Sequence, residues 1–190
     1  MGEVYVGRKF RTEFVAGGKE DSGRIGEIIS AGKVLDSLGL TPENAGNISV
    51  RTGRGMLITV GGRSKGLLAA DDIVEVVSFD GEVAKVIGKI EPSSETPMHW
   101  IIYSSFPDVN AIVHAHDELV LDNTVRLDIP STDHFVHYGT PEQAEQVAEA
   151  LRKGRYVAIA GHGIVSVGGN LSRAMKAVLE FHEKAAGSMG

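Results

Sequence analysis

The sequence predicts an α/β domain in which helices cover a mixed, mostly antiparallel sheet, and three observations carry that prediction. Two segments each read as a pair of strands joined by a tight turn, which calls for antiparallel pairing. Helical patterns with start and stop signals interrupt the strand series throughout. The chain of 190 residues is 42% hydrophobic and has no cysteine, so one sizeable core without disulfides accounts for its length, and residues 1–190 are expected to form a single domain.

In chain order, residues 1–21 mix charge and glycine without a clear period and read as an arm or a short strand. From Ser22, the residues Ile25, Ile28, Ile29, Val34, Leu35 and Leu38 fall close to one helical stripe, and Gly39 supplies a stop. "NISVRTGRGMLITV" is the first hairpin: Ile48 and Val50 alternate with polar residues, "TGRG" turns, and "MLITV" returns as a buried strand. "DDIVEVVSFDGEVAKVIG" repeats the pattern with its turn at Asp80 and Gly81. In "PSSETPMHWIIYSSFPDV", Ser94 is the expected N-cap, Pro97 fits the first helical turn, Glu95 favours the positive end, and Pro107 terminates. "VNAIVHAH" is the next strand. "TPEQAEQVAEALRKG" is a helix capped by Thr140, with Pro141 first and Gly154 closing it. "YVAIAGHGIVSVGG" gives strand, glycine turn and strand. "NLSRAMKAVLEFHEKAAG" ends as an amphipathic helix with Leu171, Ala174, Met175, Val178, Leu179 and His182 along one side.

Composition narrows the function classes. A net charge of -6 spread along the chain argues against a nucleic-acid footprint and favours a small-molecule partner. The sequence has no stretch near the roughly 20 apolar residues of a membrane helix, and its polar start lacks a signal peptide's hydrophobic segment. A soluble cytoplasmic protein with no membrane partner is expected. Glycine, at 24 residues, exceeds its usual share of about 7%, which predicts tight turns and close backbone approaches.

The histidines carry the chemical signal. In a strand, residues two apart project from one face, so His114 and His116 of "AIVHAHDE" present their imidazoles together. Such a pair alone is more often a satisfied packing or surface pair than a metal site. His162, between two glycines at the end of another apolar strand, makes a third ligand candidate. Three neutral imidazoles with an open position are a common catalytic zinc arrangement, whereas a closed structural site more often recruits cysteine. Glu95 supplies a carboxylate, although an acid at a helix start is equally a helix-capping group. Asp117 and Glu118 are candidates to orient an imidazole, or else solvent-facing residues at a strand end. His99 and His182 read as packing or surface residues, and His134 and His137 as loop residues able to meet substrate.

Taken in order, "GNISVR" with "GMLITVGG", then "PSSETPMHWIIYSSFPDVNAIVHAHDE", then "GHGIVSVGGNLSRAMKAVLEFHE" resemble the class II aldolase/adducin family, the group of fuculose-phosphate and rhamnulose-phosphate aldolases and ribulose-phosphate 4-epimerase. The resemblance runs from about Gly46 to Glu183. It implies a three-layer α-β-α sandwich and a homotetramer with sites between subunits. It also implies a divalent metal, most often zinc, held by His114, His116 and His162. Glu95 would ligate the resting metal and, once displaced, shuttle a proton. Gly46 and Asn47, Gly61 and Gly62, and Ser93 and Ser94 would cradle the substrate phosphate. The implied activity is aldol cleavage of a ketose 1-phosphate through a metal-stabilised enediolate; a sugar-phosphate dehydratase or 4-epimerase, or a noncatalytic adducin-head-like module, are the alternatives.

The chain departs from the family's pattern at three places. Gly61 stands where the aldolases carry a hydroxyl residue, with Thr59, Arg63, Ser64 and Lys65 nearby to replace it, unless the substrate is smaller or not phosphorylated. No residue aligns with the aldolase's catalytic tyrosine, since Tyr138 falls elsewhere. Phe135 occupies the place of the epimerase's catalytic aspartate, which Asp133 or His134 would fill only with a shifted loop.

Overall fold

Both expected hairpins form. In the computed structural model, which describes residues 7–19 and 22–187, strands β2 (Asn47–Arg51) and β3 (Met56–Thr59) pair antiparallel, as do β4 (Ile73–Phe79) and β5 (Val83–Ile87). They join β1 (Arg11–Phe14), β6 (Ala111–Ala115), β7 (Tyr156–Ile159) and β8 (Gly163–Gly168) in one sheet of order β1-β5-β4-β3-β2-β6-β8-β7. Every pairing is antiparallel except β1 with β5, so the sheet is mixed and mostly antiparallel as expected. The strand within the expected N-terminal arm is therefore real, while residues 1–6 and 20–21 of that arm lie outside the described residues.

The strands read as nearly unbroken apolar runs because both sheet faces are covered. On β6, Ala111, Val113 and Ala115 pack with Ile28 and Leu35 of α1 (Ser22–Ser37), Val120 of α3 (Glu118–Leu121), and Leu171, Ala174 and Val178 of α5 (Leu171–Ala186). Ile112 points to the opposite face, against Met98 and Ile102 of α2 (Thr96–Ser105) and Val147 and Leu151 of α4 (Pro141–Leu151). Each fully buried Ile, Leu or Val contributes roughly 1.5–3 kcal/mol from area removed from water. Helices on both faces of the sheet make the three layers.

The helix boundaries follow their local chemistry, with two corrections. Thr140 caps α4 by accepting from Gln143 N at 3.2 Å, and Asn170 caps α5 through Arg173 N at 2.9 Å. The N-cap of α2 is Glu95, not Ser94, and its side chain makes no capping bond. On α1, Ile25, Ile28 and Leu35 are buried, but Val34 and Leu38, expected near the stripe, are 40% and 41% exposed. The short helix α3 was not expected; Asp117 nucleates it by accepting from Val120 N at 3.2 Å. Among the described residues, no helix is long and apolar enough to cross a membrane.

Candidate metal centre

His114 occupies β6 on the face of Ile112, looking toward the start of α2, and His116 lies just past the strand end. The His116 amide donates to Leu40 O at 2.9 Å, which fixes the chain beyond the strand. His162 sits in the turn between β7 and β8, its amide bonded to Ile159 O at 3.0 Å. The ligand atoms of the three imidazoles all lie within 4.8 Å of one another. Gly163 makes this convergence possible. A Cβ there would lie 2.6 Å from Ala115 O, 2.9 Å from His114 Cε1 and 3.1 Å from His116 Cδ2. The close approach that the glycine permits is thus to the other two histidines.

Glu95 completes the cluster. Its Oε2 accepts from Asn47 Nδ2 at 2.7 Å and stands 3.1 Å from His114 Nε2, while Oε1 is 3.2 Å from His162 Nε2. The carboxylate that would have capped α2 is committed to the imidazoles instead. Burial raises the Glu95 pKa, and the neighbouring His114 and His162 more than offset it, holding the carboxyl well below its ordinary value.

The donor set fits a divalent cation. His114 Nδ1 meets Ile164 O at 2.9 Å, and a carbonyl only accepts, so Nδ1 carries a proton and Nε2 is the ring atom turned to the cluster. Among the described residues, that Nε2 is buried without hydrogen-bond geometry to any partner. A bare nitrogen and a carboxylate oxygen 3.1 Å apart repel unless a cation or proton stands between them. Burial, with the charges of His114 and His162, pushes the His116 pKa down to about 3, which keeps that imidazole unprotonated and available.

The three expected phosphate-binding stretches converge beside this cluster. Asn47 pairs with His114 in the β2–β6 ladder, and Gly46, at φ 73, lets the chain pass where a Cβ would lie 2.6 Å from His114 O. Val60 bridges Pro92 and Ser93 N donates to Thr59 O at 3.1 Å, which brings Gly61 beside Ser93. Ser93 Oγ accepts from Glu95 N at 3.2 Å. A Cβ at Gly61 would meet Pro92 O only at 3.9 Å, so packing does not demand glycine there.

The other candidates have partners of their own. Asp117 accepts from His182 Nδ1 at 2.8 Å, so it orients that ring rather than one of the triad, and Glu118 is exposed. His134 Nε2 meets Gln146 Nε2 at 3.1 Å on the surface, His137 packs edge-on against Phe135, and the Tyr138 hydroxyl donates to Gly7 O at 3.3 Å. Two residues near the site have surroundings that the sequence did not specify. His99, expected as packing, is fully buried one turn after Glu95, with Nδ1 2.7 Å from Ser49 Oγ, which lies 2.9 Å from the Tyr103 hydroxyl. Its spacing of four from Glu95 was the available signal. Lys65 is 1% exposed, and no sequence pattern marks a lysine for burial.

Residues 26–187 match the family described as Class II Aldolase and Adducin N-terminal domain. The chain belongs to the class II aldolase/adducin family. As a member of this family it is 31% identical over 164 residues to L-fuculose phosphate aldolase of Haemophilus influenzae, covering 78% of this chain and 74% of that one. It is 41% identical over 96 residues to methylthioribulose-1-phosphate dehydratase of Gluconacetobacter diazotrophicus, a match covering 50% of this chain and 45% of the other. The solved structure of an L-fuculose 1-phosphate aldolase superposes with a TM-score of 0.75 at 30% identity, over 87% of this chain and 84% of that chain. The class II aldolase fold is thus the one this sequence adopts.

Proposed function

We propose that this chain is a metal-dependent aldolase that cleaves or forms a carbon–carbon bond in a short sugar phosphate, such as a ketose 1-phosphate. The observation that carries the reading is the Glu95 carboxylate, 3.1 and 3.2 Å from two imidazoles and turned away from its own helix end. His114, His116, His162 and Glu95 would hold the ion, and three imidazoles with a carboxylate suit zinc. When bound, the ion supplies a Lewis acid for the substrate's carbonyl oxygen, worth several kcal/mol of charge stabilisation as the bond breaks.

The chain's own residues supply the proton transfer at carbon and the hold on the phosphate. Glu95 returns a proton to the carbon left electron-rich by cleavage, and takes one from it in the direction of synthesis. Asn47 Nδ2, at 2.7 Å, holds one carboxylate oxygen in position for that transfer. Backbone N–H groups at Gly46–Asn47 and Gly61–Gly62, with the Ser93 and Ser94 hydroxyls, bind the phosphate and fix its distance from Glu95. The identity to the dehydratase supports a second reading, in which Glu95 removes a proton beside the carbonyl and a neighbouring hydroxyl leaves as water.

The test is a screen of purified protein, chelated and then reloaded with zinc, against ketose 1-phosphates and against dihydroxyacetone phosphate paired with aldehydes. Metal-dependent release of dihydroxyacetone phosphate is the expected result. Metal-dependent water loss without cleavage would assign the dehydratase reaction instead, and no metal-dependent turnover of any of these compounds would refute both.

A further inference from the structure

Lys65 opens the short 3-10 turn Lys65–Leu67 that follows the Gly61–Gly62 turn. Its Nζ donates to Asn44 O at 2.7 Å and to Arg63 O at 2.7 Å. Asn44 leads into Gly46 and Asn47, and Arg63 directly follows Gly62. One buried ammonium therefore ties together two of the loops assigned to the anion cradle.

The surroundings are built to keep it there. Glu43 and Asn44 adopt left-handed backbone, φ 50 and 70, a conformation disfavoured for Glu, and Asn44 presents its carbonyl to Lys65. The Lys65 carbonyl approaches α1 so closely that a Cβ at Gly32 would lie 2.6 Å from it, and a Cβ at Gly66 would collide with Asp36 Oδ2. Burying a cation is costly, and neutral carbonyls do not cancel its charge. Burial lowers the Lys65 pKa to about 8 against the pull of Glu95 and Asp36, so the group is charged at neutral pH. The two carbonyls use two of its three donors.

We propose that Lys65 is the fixed positive charge and the clamp of the anion cradle, positioning the Gly46–Asn47 and Gly61–Gly62 backbones and selecting phosphorylated over uncharged substrates. The inference rests on the phosphate-binding reading above. It assigns Lys65 a positioning role rather than contact with the reacting carbons.

The test titrates inorganic phosphate into zinc-loaded wild type and Lys65→Met, with zinc content measured alongside. Phosphate affinity is expected to fall roughly 10- to 100-fold in Lys65→Met, the range for losing a charged hydrogen-bonding group, with zinc content unchanged. A purely structural lysine would lower the melting temperature and leave phosphate affinity alone, and that result overturns the proposal while the cradle stands. Wild type that binds no phosphate would remove the cradle and, with it, the role of Lys65. Should Lys65→Met not fold, the wild-type Lys65 ammonium resonance is followed by NMR during the same titration. A shift is expected, and an unmoved resonance overturns the proposal.

Discussion

Replacing Gly163 with alanine tests whether the three histidines converge as described. The new Cβ would lie 2.6 Å from Ala115 O and 2.9 Å from His114 Cε1, inside the 3.0 Å that real Cβ contacts essentially never breach. The carbonyl cannot swing away freely, because Ala115 pairs with Ile164 in the β6–β8 ladder. The strain must appear either as displaced strands or as a displaced His114 ring. Overpacking of this kind costs roughly 1–3 kcal/mol, and about 2–4 °C of melting temperature per kcal/mol is expected for a chain of this size. If the His114 ring yields, zinc affinity drops by roughly 10- to 100-fold, as when the support of a ligand is lost. Chelator-competition titration of zinc with thermal melts reads both. A variant with wild-type zinc affinity and wild-type melting would refute the geometry of the centre.

Three further outcomes follow from the same structure. His114→Ala should lose zinc: in wild type, zinc at 100 times its Kd adds about 2.7 kcal/mol of stability, and the variant should show no zinc-dependent shift in melting temperature. Burial pushes the pKa values of His99 and His116 from 6.5 to about 3, against the pull of Glu95 in His99 and with the added push of His114 and His162 in His116. The unfolded chain therefore takes up protons that the folded one refuses, and metal-free protein should lose stability as pH falls from 6.5 toward 3; chemical denaturation at pH 7, 6 and 5 checks this, and a flat profile contradicts it. Gly26 is exposed within α1, and an added Cβ meets nothing within 4 Å, so Gly26→Ala should stabilise the chain by about 0.5–1 kcal/mol, read from its denaturation midpoint.

The legible parts of the fold were those set by local chemistry. Alternation around "TGRG" and the Asp80–Gly81 turn gave both hairpins, and Thr140 with Pro141 marked α4. The strand β1 was blurred because its partner is β5, paired in parallel and far away in sequence. The helix α3 is only four residues long, too short for a periodic signal. At the candidate site, the spacing of His114 and His116 put two imidazoles on one face, and His162 joined them across the β6–β8 pairing. The sequence left Glu95 between helix cap and cluster carboxylate, because both uses place an acid before Thr96; only the side-chain direction separates them. The burial of Lys65, which the sequence marks only as a neighbour of Gly61, was hidden for a different reason. A lysine is assigned to the surface by default, and its burial depends on the Asn44 and Arg63 carbonyls meeting in three dimensions.

On the proposed function, a metal at the triad and the Glu95 carboxylate together move a proton on a sugar-phosphate carbon. The most direct measurement is hydrogen–deuterium exchange on dihydroxyacetone phosphate in D2O, followed by NMR in zinc-loaded wild type, chelated wild type and zinc-loaded Glu95→Gln. Rapid exchange in the first is expected, with loss of roughly 10²–10⁴-fold in Glu95→Gln at unchanged zinc content, the usual share of a positioned acid–base group. Absence of exchange in zinc-loaded wild type, or full exchange in Glu95→Gln, would remove Glu95 from the proton transfer.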